Sequence, residues 1–371
     1  MRKVMTILGT RPELIKMSLV IERLDRVTQH VLVHTGQNHD YTLNKVFFDE
    51  LGIRQPDHFL AVAGSGPIDT IARVLTAVDA VLEQERPDAV LIYGDTNSGL
   101  AVIPAKRRRI PVFHMEAGNR SFDQRVPEEL NRKIIDHLSD VNMTLTEHAR
   151  RYLLAEGLPP DRVFKVGSHM EQVLQRYRPQ IDASDIRERL GLQADRYFVV
   201  SLHREENVDA PDRLRHGLDC LECVAESFGW PVIVSTHPRT RKRLTDLGAE
   251  ASPLIRFLPP FGFPDYIHLQ SHAHCVLSDS GTITEEAALL GFPAVMLRDA
   301  HERPEGMDAG VLVMSSLHPD RVMEAIACVR SGLPERAAGR VPDYEAGDVA
   351  GKVVRIVLSY IDQINHLVWR S

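Results

Sequence analysis

The chain has 371 residues, 43% hydrophobic and 26% charged, with glycine and proline at ordinary levels. That excludes a disordered or collagen-like chain and exceeds one ordinary core, so two domains are expected. With 44 Lys and Arg against 51 Asp and Glu the formal charge is −7, which excludes a nucleic-acid binder that relies on a strongly basic surface.

Short β-rich runs alternate with amphipathic helices from the start. The pattern predicts a strand at 2–8, a helix at 13–24, a strand at 31–35 and a helix at 68–84. A strand at 89–93, a helix at 98–106 and a strand at 111–115 follow. The basic run Lys106-Arg107-Arg108-Arg109 reads as a solvated helix end. A polar stretch at 178–195 reads as a linker region with a helical part. The alternation then restarts: strand 197–202, helix 212–228, strands 231–235, 254–258 and 274–277, helix 281–290, strand 294–297. A last helical pattern at 350–367 is expected to return to the first half. Strands alternating with helices predict parallel sheets covered on both faces. The expected architecture is therefore α/β, with two doubly wound, Rossmann-like domains and a central cleft. One spans 1–175 together with the C-terminal helix 350–371, and the other spans 176–349.

The apolar run at 4–8 goes straight into Thr10-Arg11-Pro12-Glu13, unlike a secretory signal, and no stretch is long enough to cross a bilayer. Four cysteines, Cys220, Cys223, Cys275 and Cys328, are expected as free thiols in a soluble, cytoplasmic protein. Cys220 and Cys223 fall in a helical pattern with Leu214, Leu218, Leu221 and Val224, with no second pair to complete a zinc site; they read as packing residues. His268, His272 and His274 lack a nearby carboxylate, so no metal is expected there either.

In doubly wound sheets ligands sit beyond the carboxyl ends of strands. After the first strand comes Gly9-Thr10-Arg11-Pro12-Glu13-Leu14-Ile15-Lys16. Helix amides with Arg11 and Lys16 suit an anion; a capped surface helix with snorkelling cations is the plain alternative. Asp95 and Glu116 each stand where an apolar strand ends, an expensive place for a carboxylate unless it is paired or used. The plain readings are helix capping for Asp95 and an ion pair to Arg120 or Arg125 for Glu116. Glu128 with Arg132 and Glu129 with Lys133 read as surface pairs at helical spacing. In the second half His203 follows a strand as an acid/base or phosphate-binding candidate. Ser278-Asp279-Ser280-Gly281-Thr282 is a strand, small-residue turn and helix start, which suits a diphosphate. Glu286 is placed to accept from ribose hydroxyls, and Arg303 adds a cation. The glycine spacing fits neither a Walker loop nor a dinucleotide fingerprint.

Taken in order, GTRPELIK at 9–16, YGDTN at 93–97, MEAG at 115–118, PEELNR at 127–132, HRE at 203–205, DSGTITEE at 279–286 and ERP at 302–304 resemble the non-hydrolysing UDP-N-acetylglucosamine 2-epimerases. The resemblance implies a fold like that of the GT-B glycosyltransferases and inversion at C2 of a UDP-sugar, with no metal or nicotinamide cofactor. It implies catalytic roles for Asp95, Glu116, Glu128 and His203. It implies UDP or substrate contacts for Arg11, Lys16, Arg132, Ser280, Gly281, Thr282, Glu286 and Arg303. A homodimer is implied, with no nucleic-acid or membrane partner. EAGNRSFDQRVPEE at 116–129, DSGTI at 279–283, STHPRT at 235–240 and PFGFPDY at 260–266 look like the branch that makes UDP-N-acetyl-L-fucosamine for capsule or O-antigen. The family's regulatory Gln-His pair does not carry over to Gly36-Gln37-Asn38-His39. A UDP-sugar glycosyltransferase and a non-catalytic nucleotide-sugar binder are the competing classes.

Overall fold

The computed structural model describes residues 1–37, 48, 51–248, 251–331 and 340–370. The chain forms two compact units, Met1–Val173 with Asp343–Ser371, and Leu174–Pro342. The return to the first unit falls at Asp343, ahead of the last helix. Asp343 accepts from Glu147 N at 2.9 Å and from Lys165 Nζ at 2.7 Å, and its carbonyl accepts from Ser168 N at 3.0 Å.

In the first unit seven parallel strands run β1 (Lys3–Leu8), β2 (Gln29–His34), β3 (His58–Phe59), β4 (Ala89–Tyr93), β5 (Val112–Met115), β6 (Val141–Thr144) and β7 (Val163–Lys165). Their order across the sheet is 3-2-1-4-5-6-7. The second unit has β8 (Phe198–Ser201), β9 (Val232–Ser235), β10 (Ile255–Leu258), β11 (Cys275–Ser278), β12 (Ala294–Leu297) and β13 (Val313–Ser315), ordered 10-9-8-11-12-13. Both are Rossmann-like, and in each the winding reverses between the first and the fourth strand of the unit.

β1 and β4 are apolar throughout because helices cover both faces of the sheet. Met5, Ile7, Val33, Val90, Ile92 and Ile135 share one core. The second sheet has two, one with Phe198, Val200 and Leu221 and one with Tyr197, Val199 and Ile283. The helix Val349–Ile364 packs on the helix Arg11–Val27.

Several expectations are corrected. The helix expected at 98–106 is a 3-10 turn, Asn97–Ala101, followed by the short helix Val102–Arg107. A Cβ on Gly99 would lie 2.4 Å from Ile135 Cδ1, so this turn is wedged against the neighbouring helix. The polar stretch at 178–195 does have its helical part, the end of the helix Met170–Asp182 and the helix Ile186–Leu190. β6, β7 and β13 carry no run of apolar residues long enough to announce them. The basic run does end a helix, with Lys106 on Asp140 and Arg108 on Asp79. Among the described residues no helix is long and apolar enough to cross a membrane.

Candidate active site

The first unit gathers its polar residues at the carboxyl ends of β1, β4 and β5. Thr10 and Glu13 form a capping box at the start of the helix Arg11–Val27. Glu13 Oε2 accepts from Gly9 N at 2.6 Å and Thr10 N at 3.0 Å. The tight turn needs glycine: a Cβ on Gly9 would lie 2.1 Å from Ser98 Oγ and 2.2 Å from Thr35 Oγ1. Burial pushes the Glu13 carboxyl up to about 7, against the lowering effect of its hydrogen bonds. Half-buried Arg11 opens the same helix, and Lys16 lies one turn further on.

Lys16 Nζ lies 3.0 Å from Glu116 Oε2, and both side chains are nearly buried. Tyr93 donates its hydroxyl to the same oxygen, and Asn119 Nδ2 donates to Oε1 at 3.2 Å. Glu116 has φ +62, a left-handed backbone that a non-glycine residue rarely adopts. The loops that carry the two strand-end carboxylates are tied together beneath the site. His114 Nε2 lies 2.8 Å from Gly94 O and its Nδ1 lies 2.9 Å from Asp136 Oδ1. Asp136 also accepts from Gly118 N, and from Arg120 Nη1 at 2.7 Å.

Asp95 pairs with Arg132, Nε to Oδ2 at 2.8 Å. Thr96, not Asp95, caps the following turn, accepting from Ser98 N. On the helix Pro127–Leu138 the residues expected at the surface divide. Arg132 is buried and binds Glu129 at 3.0 Å; Glu129 is buried and accepts from Ser121 N and Phe122 N, while Lys133 is exposed. Glu128 is half-buried in the first turn of that helix. Glu116 pairs with Lys16, while Arg120 goes to Asp136 and Glu156, and Arg125 to Asp123. Gln37 accepts from Ser98 Oγ at 3.0 Å, whereas Asn38 and His39 lie outside the described residues.

In the second unit the ends of β8, β11 and β12 meet. Asp279 is fully buried and accepts from His203 N, Arg204 N and Asn207 Nδ2 at 3.0–3.2 Å. His203 Nδ1 lies 3.0 Å from Asp279 Oδ1, with the imidazole 40% exposed. Burial alone would raise the Asp279 carboxyl, but the His203 charge and the hydrogen bonds hold it below its usual range. Ser280 Oγ and Thr282 Oγ1 are 3.0 Å apart at the start of the helix Thr282–Leu290. A Cβ on Gly281 would lie 2.5 Å from Glu302 Oε1. Arg204 and Arg298 hold Glu302 at 3.2 and 2.7 Å. Arg303 is buried against Glu285 at 3.1 Å, and Glu286 accepts from Gln270 at 2.8 Å.

The expected site residues thus fall into two sets, one in each unit: Arg11, Lys16, Asp95, Glu116, Glu128 and Arg132 in the first; His203, Ser280, Gly281, Thr282, Glu286 and Arg303 in the second. Glu13, Tyr93, Asn119, His169 and Asp279 were not among the expected site residues. Glu13 had a readable signal, the Thr10-x-x-Glu13 spacing of a capping box. His169 had none, being far from Tyr93 in sequence. Cys220 is buried, which pushes its thiol up to about 12, as suits a packing residue. Among the described residues no group of three or more His, Cys, Asp or Glu is placed to hold a metal ion.

A family model described as UDP-N-acetylglucosamine 2-epimerase matches residues 22–358. The chain belongs to the UDP-N-acetylglucosamine 2-epimerase family. It is an isomerase, a UDP-sugar 2-epimerase. The solved structure of UDP-N-acetylglucosamine 2-epimerase from Rickettsia bellii is 57% identical, covers 100% of both chains and has a TM-score of 0.94. That of the Methanocaldococcus jannaschii UDP-GlcNAc 2-epimerase, in complex with UDP-GlcNAc and UDP, is 32% identical. It covers 96% of this chain and 99% of its own, with a TM-score of 0.90. A family relative from Pseudomonas aeruginosa, UDP-2,3-diacetamido-2,3-dideoxy-D-glucuronate 2-epimerase, is 34% identical over 87% of this chain and 91% of its own length.

Proposed function

We propose that this enzyme inverts C2 of a UDP-2-acetamido sugar by anti-elimination of UDP and re-addition. The C2 proton is not beside a carbonyl, so direct abstraction leaves an unstabilised carbanion. In the elimination a base removes that proton, its bonding pair forms the C1=C2 double bond, and the C1–O pair departs with UDP. UDP then adds back at C1 while an acid delivers a proton to the opposite face of C2. The observation that carries this reading is the placing of Asp95 and Glu116 at the ends of adjacent strands, each held by a buried cation, Arg132 and Lys16. Both positions suit general acid/base work, with Glu128 as the third carboxylate. Ser280, Gly281 and Thr282, at the start of the helix Thr282–Leu290, suit the leaving diphosphate, with His203 and Arg303 as side-chain partners in the same unit and Glu286 toward the ribose.

The substrate we favour is UDP-2-acetamido-2,6-dideoxy-L-talose, giving UDP-N-acetyl-L-fucosamine for capsule or O-antigen, in a cytoplasmic homodimer. Support comes from the variants at 116–129 and 279–283, among them Asn119, whose amide reaches Glu116. The second reading, UDP-N-acetylglucosamine to UDP-N-acetylmannosamine, is favoured by the name of the 57% identical protein. Proton NMR of both substrates, side by side in deuterium oxide, tests the proposal. Epimer carrying deuterium at C2 is expected, with the 6-deoxy sugar turned over faster. An apolar pocket rejects an added hydroxyl by about 100-fold. Faster turnover of UDP-N-acetylglucosamine selects the second reading, and no epimer from either overturns the substrate class.

A further inference from the structure

Tyr93 closes β4 with its ring buried and its hydroxyl between two titratable groups. On one side is Glu116 Oε2; on the other is His169 Nε2, at 3.2 Å. His169 is buried, follows β7 and meets the Tyr93 ring edge-on at 5.3 Å between centroids. A phenol has one proton to donate, so of its two neighbours one accepts from it and the other donates to it. We propose that Glu116, Tyr93 and His169 form a proton relay that takes up the proton removed at C2; this rests on the reading of Glu116 as an acid/base.

Two arrangements of the same protons fit the three groups. In one, a protonated Glu116 donates to the Tyr93 oxygen, and Tyr93 donates to Nε2 of a neutral imidazole. In the other, both protons have shifted one place. The Glu116 O–H bond breaks as Tyr93 gains that proton, the Tyr93 O–H bond breaks as Nε2 gains the other, and Glu116 is a carboxylate beside an imidazolium. Charge and atoms balance within this shift; over a full turnover the imidazolium passes its proton to water and the opposite-face acid takes one back from water. The reaction has a use for such a chain. An epimerisation with different groups on the two faces ends with the base protonated and the acid deprotonated. Before the next turnover the base must lose its proton, and Lys16 Nζ and Asn119 Nδ2, which also hold Glu116, are donors. Those two hold a carboxylate in place but do not accept a proton in that geometry. Tyr93 and His169 are positioning residues in that neither is argued to touch substrate.

The test compares Tyr93→Phe, His169→Gln and His169→Ala, measured on the two UDP-sugars named above, with Glu116→Gln as reference and thermal melting as a check on folding. Tyr93→Phe keeps the ring and removes the relay oxygen. His169→Gln keeps an amide able to bond the phenol but does not titrate. Turnover is expected to fall by about 10- to 100-fold in all three, less than the ~10²–10⁴ of a direct acid/base group, with KM within about twofold. Tyr93→Phe with His169→Gln should be no worse than either alone, because both cut one chain. If His169→Gln turns over like wild type while His169→Ala does not, His169 only props Tyr93 and the relay is wrong. Wild-type turnover in Tyr93→Phe also overturns it. If Glu116→Gln is itself fully active, the failure lies with the reading of Glu116; if it is inactive while the relay variants are normal, the relay alone fails.

Discussion

Asp95 and Asp279 occupy matching places, each just beyond the fourth strand of its own doubly wound sheet, and they are used in opposite ways. Asp279 turns inward and accepts the amides of His203 and Arg204, which follow the unit's first strand. The corresponding amides in the first unit, Gly9 N and Thr10 N, are taken by Glu13 from the next helix. That substitution releases Asp95 to pair with Arg132, with its side chain 24% exposed. The two capping carboxylates also shift in opposite directions. Burial of Glu13 outweighs its hydrogen bonds to Thr96, Gly9 N and Thr10 N, and Asp95 adds to the rise, so its carboxyl goes up to about 7. Asp279 is buried as completely, yet His203 and its donors outweigh that and hold it low. The lesson is that topology fixes where a carboxylate stands, and the identity of its donors decides whether it is structural or available for chemistry.

The largest expected effect is on turnover. Asp95→Asn, Glu116→Gln and Glu128→Gln should each lower kcat by about 10²–10⁴-fold. Near-normal steady-state turnover in any one removes that residue from the acid/base set, and for Asp95 it would break the contrast drawn above.

Stability should show the reverse ranking. Asp279→Ala leaves His203 N, Arg204 N and buried Asn207 Nδ2 without their carboxylate, so a loss of about 3 kcal/mol is expected. Asp95→Ala breaks a partly exposed pair, at about 1 kcal/mol. Urea or thermal melts of the two variants decide between them, and equal losses would mean that Asp95 is as structural as Asp279.

The pH dependence sharpens the same contrast. Glu13, raised from 4.5 to about 7, favours the folded state in its protonated form. That contribution is complete below pH 4.5 and is lost as pH climbs through 7, about 3 kcal/mol in all. Asp279 is lowered, so its contribution is present above the unfolded value near 3.8 and is lost as pH falls below it. Denaturation from pH 4 to 8 should therefore show a downward slope in wild type that is missing in Glu13→Gln. A parallel profile for the two would place the titration elsewhere.

Much of the site was legible as position. Asp95, Glu116, His203 and Ser280 each follow an apolar run that reads as a strand, and the parallel alternation puts such residues at one end of a sheet. What each one bonds was not legible. The spacing of Glu128 to Arg132 is that of a surface pair, but Arg132 is buried between Glu129, one turn back on the same helix, and Asp95, which no helical period places beside it. Arg120 reads as a partner for Glu116, yet Asp136 and Glu156 lie closer once the helices are packed.

The sequence by itself determined the two α/β units, the strand-end motifs and the family, because hydrophobic periodicity and short motifs are local and survive without coordinates. Only the tertiary structure decided the charge partners. Lys16 reaches Glu116, Tyr93 meets His169 and Asp279 takes the amides after β8 across long sequence separations. Electrostatics and hydrogen bonding depend on distance and burial in space, and a linear pattern carries neither.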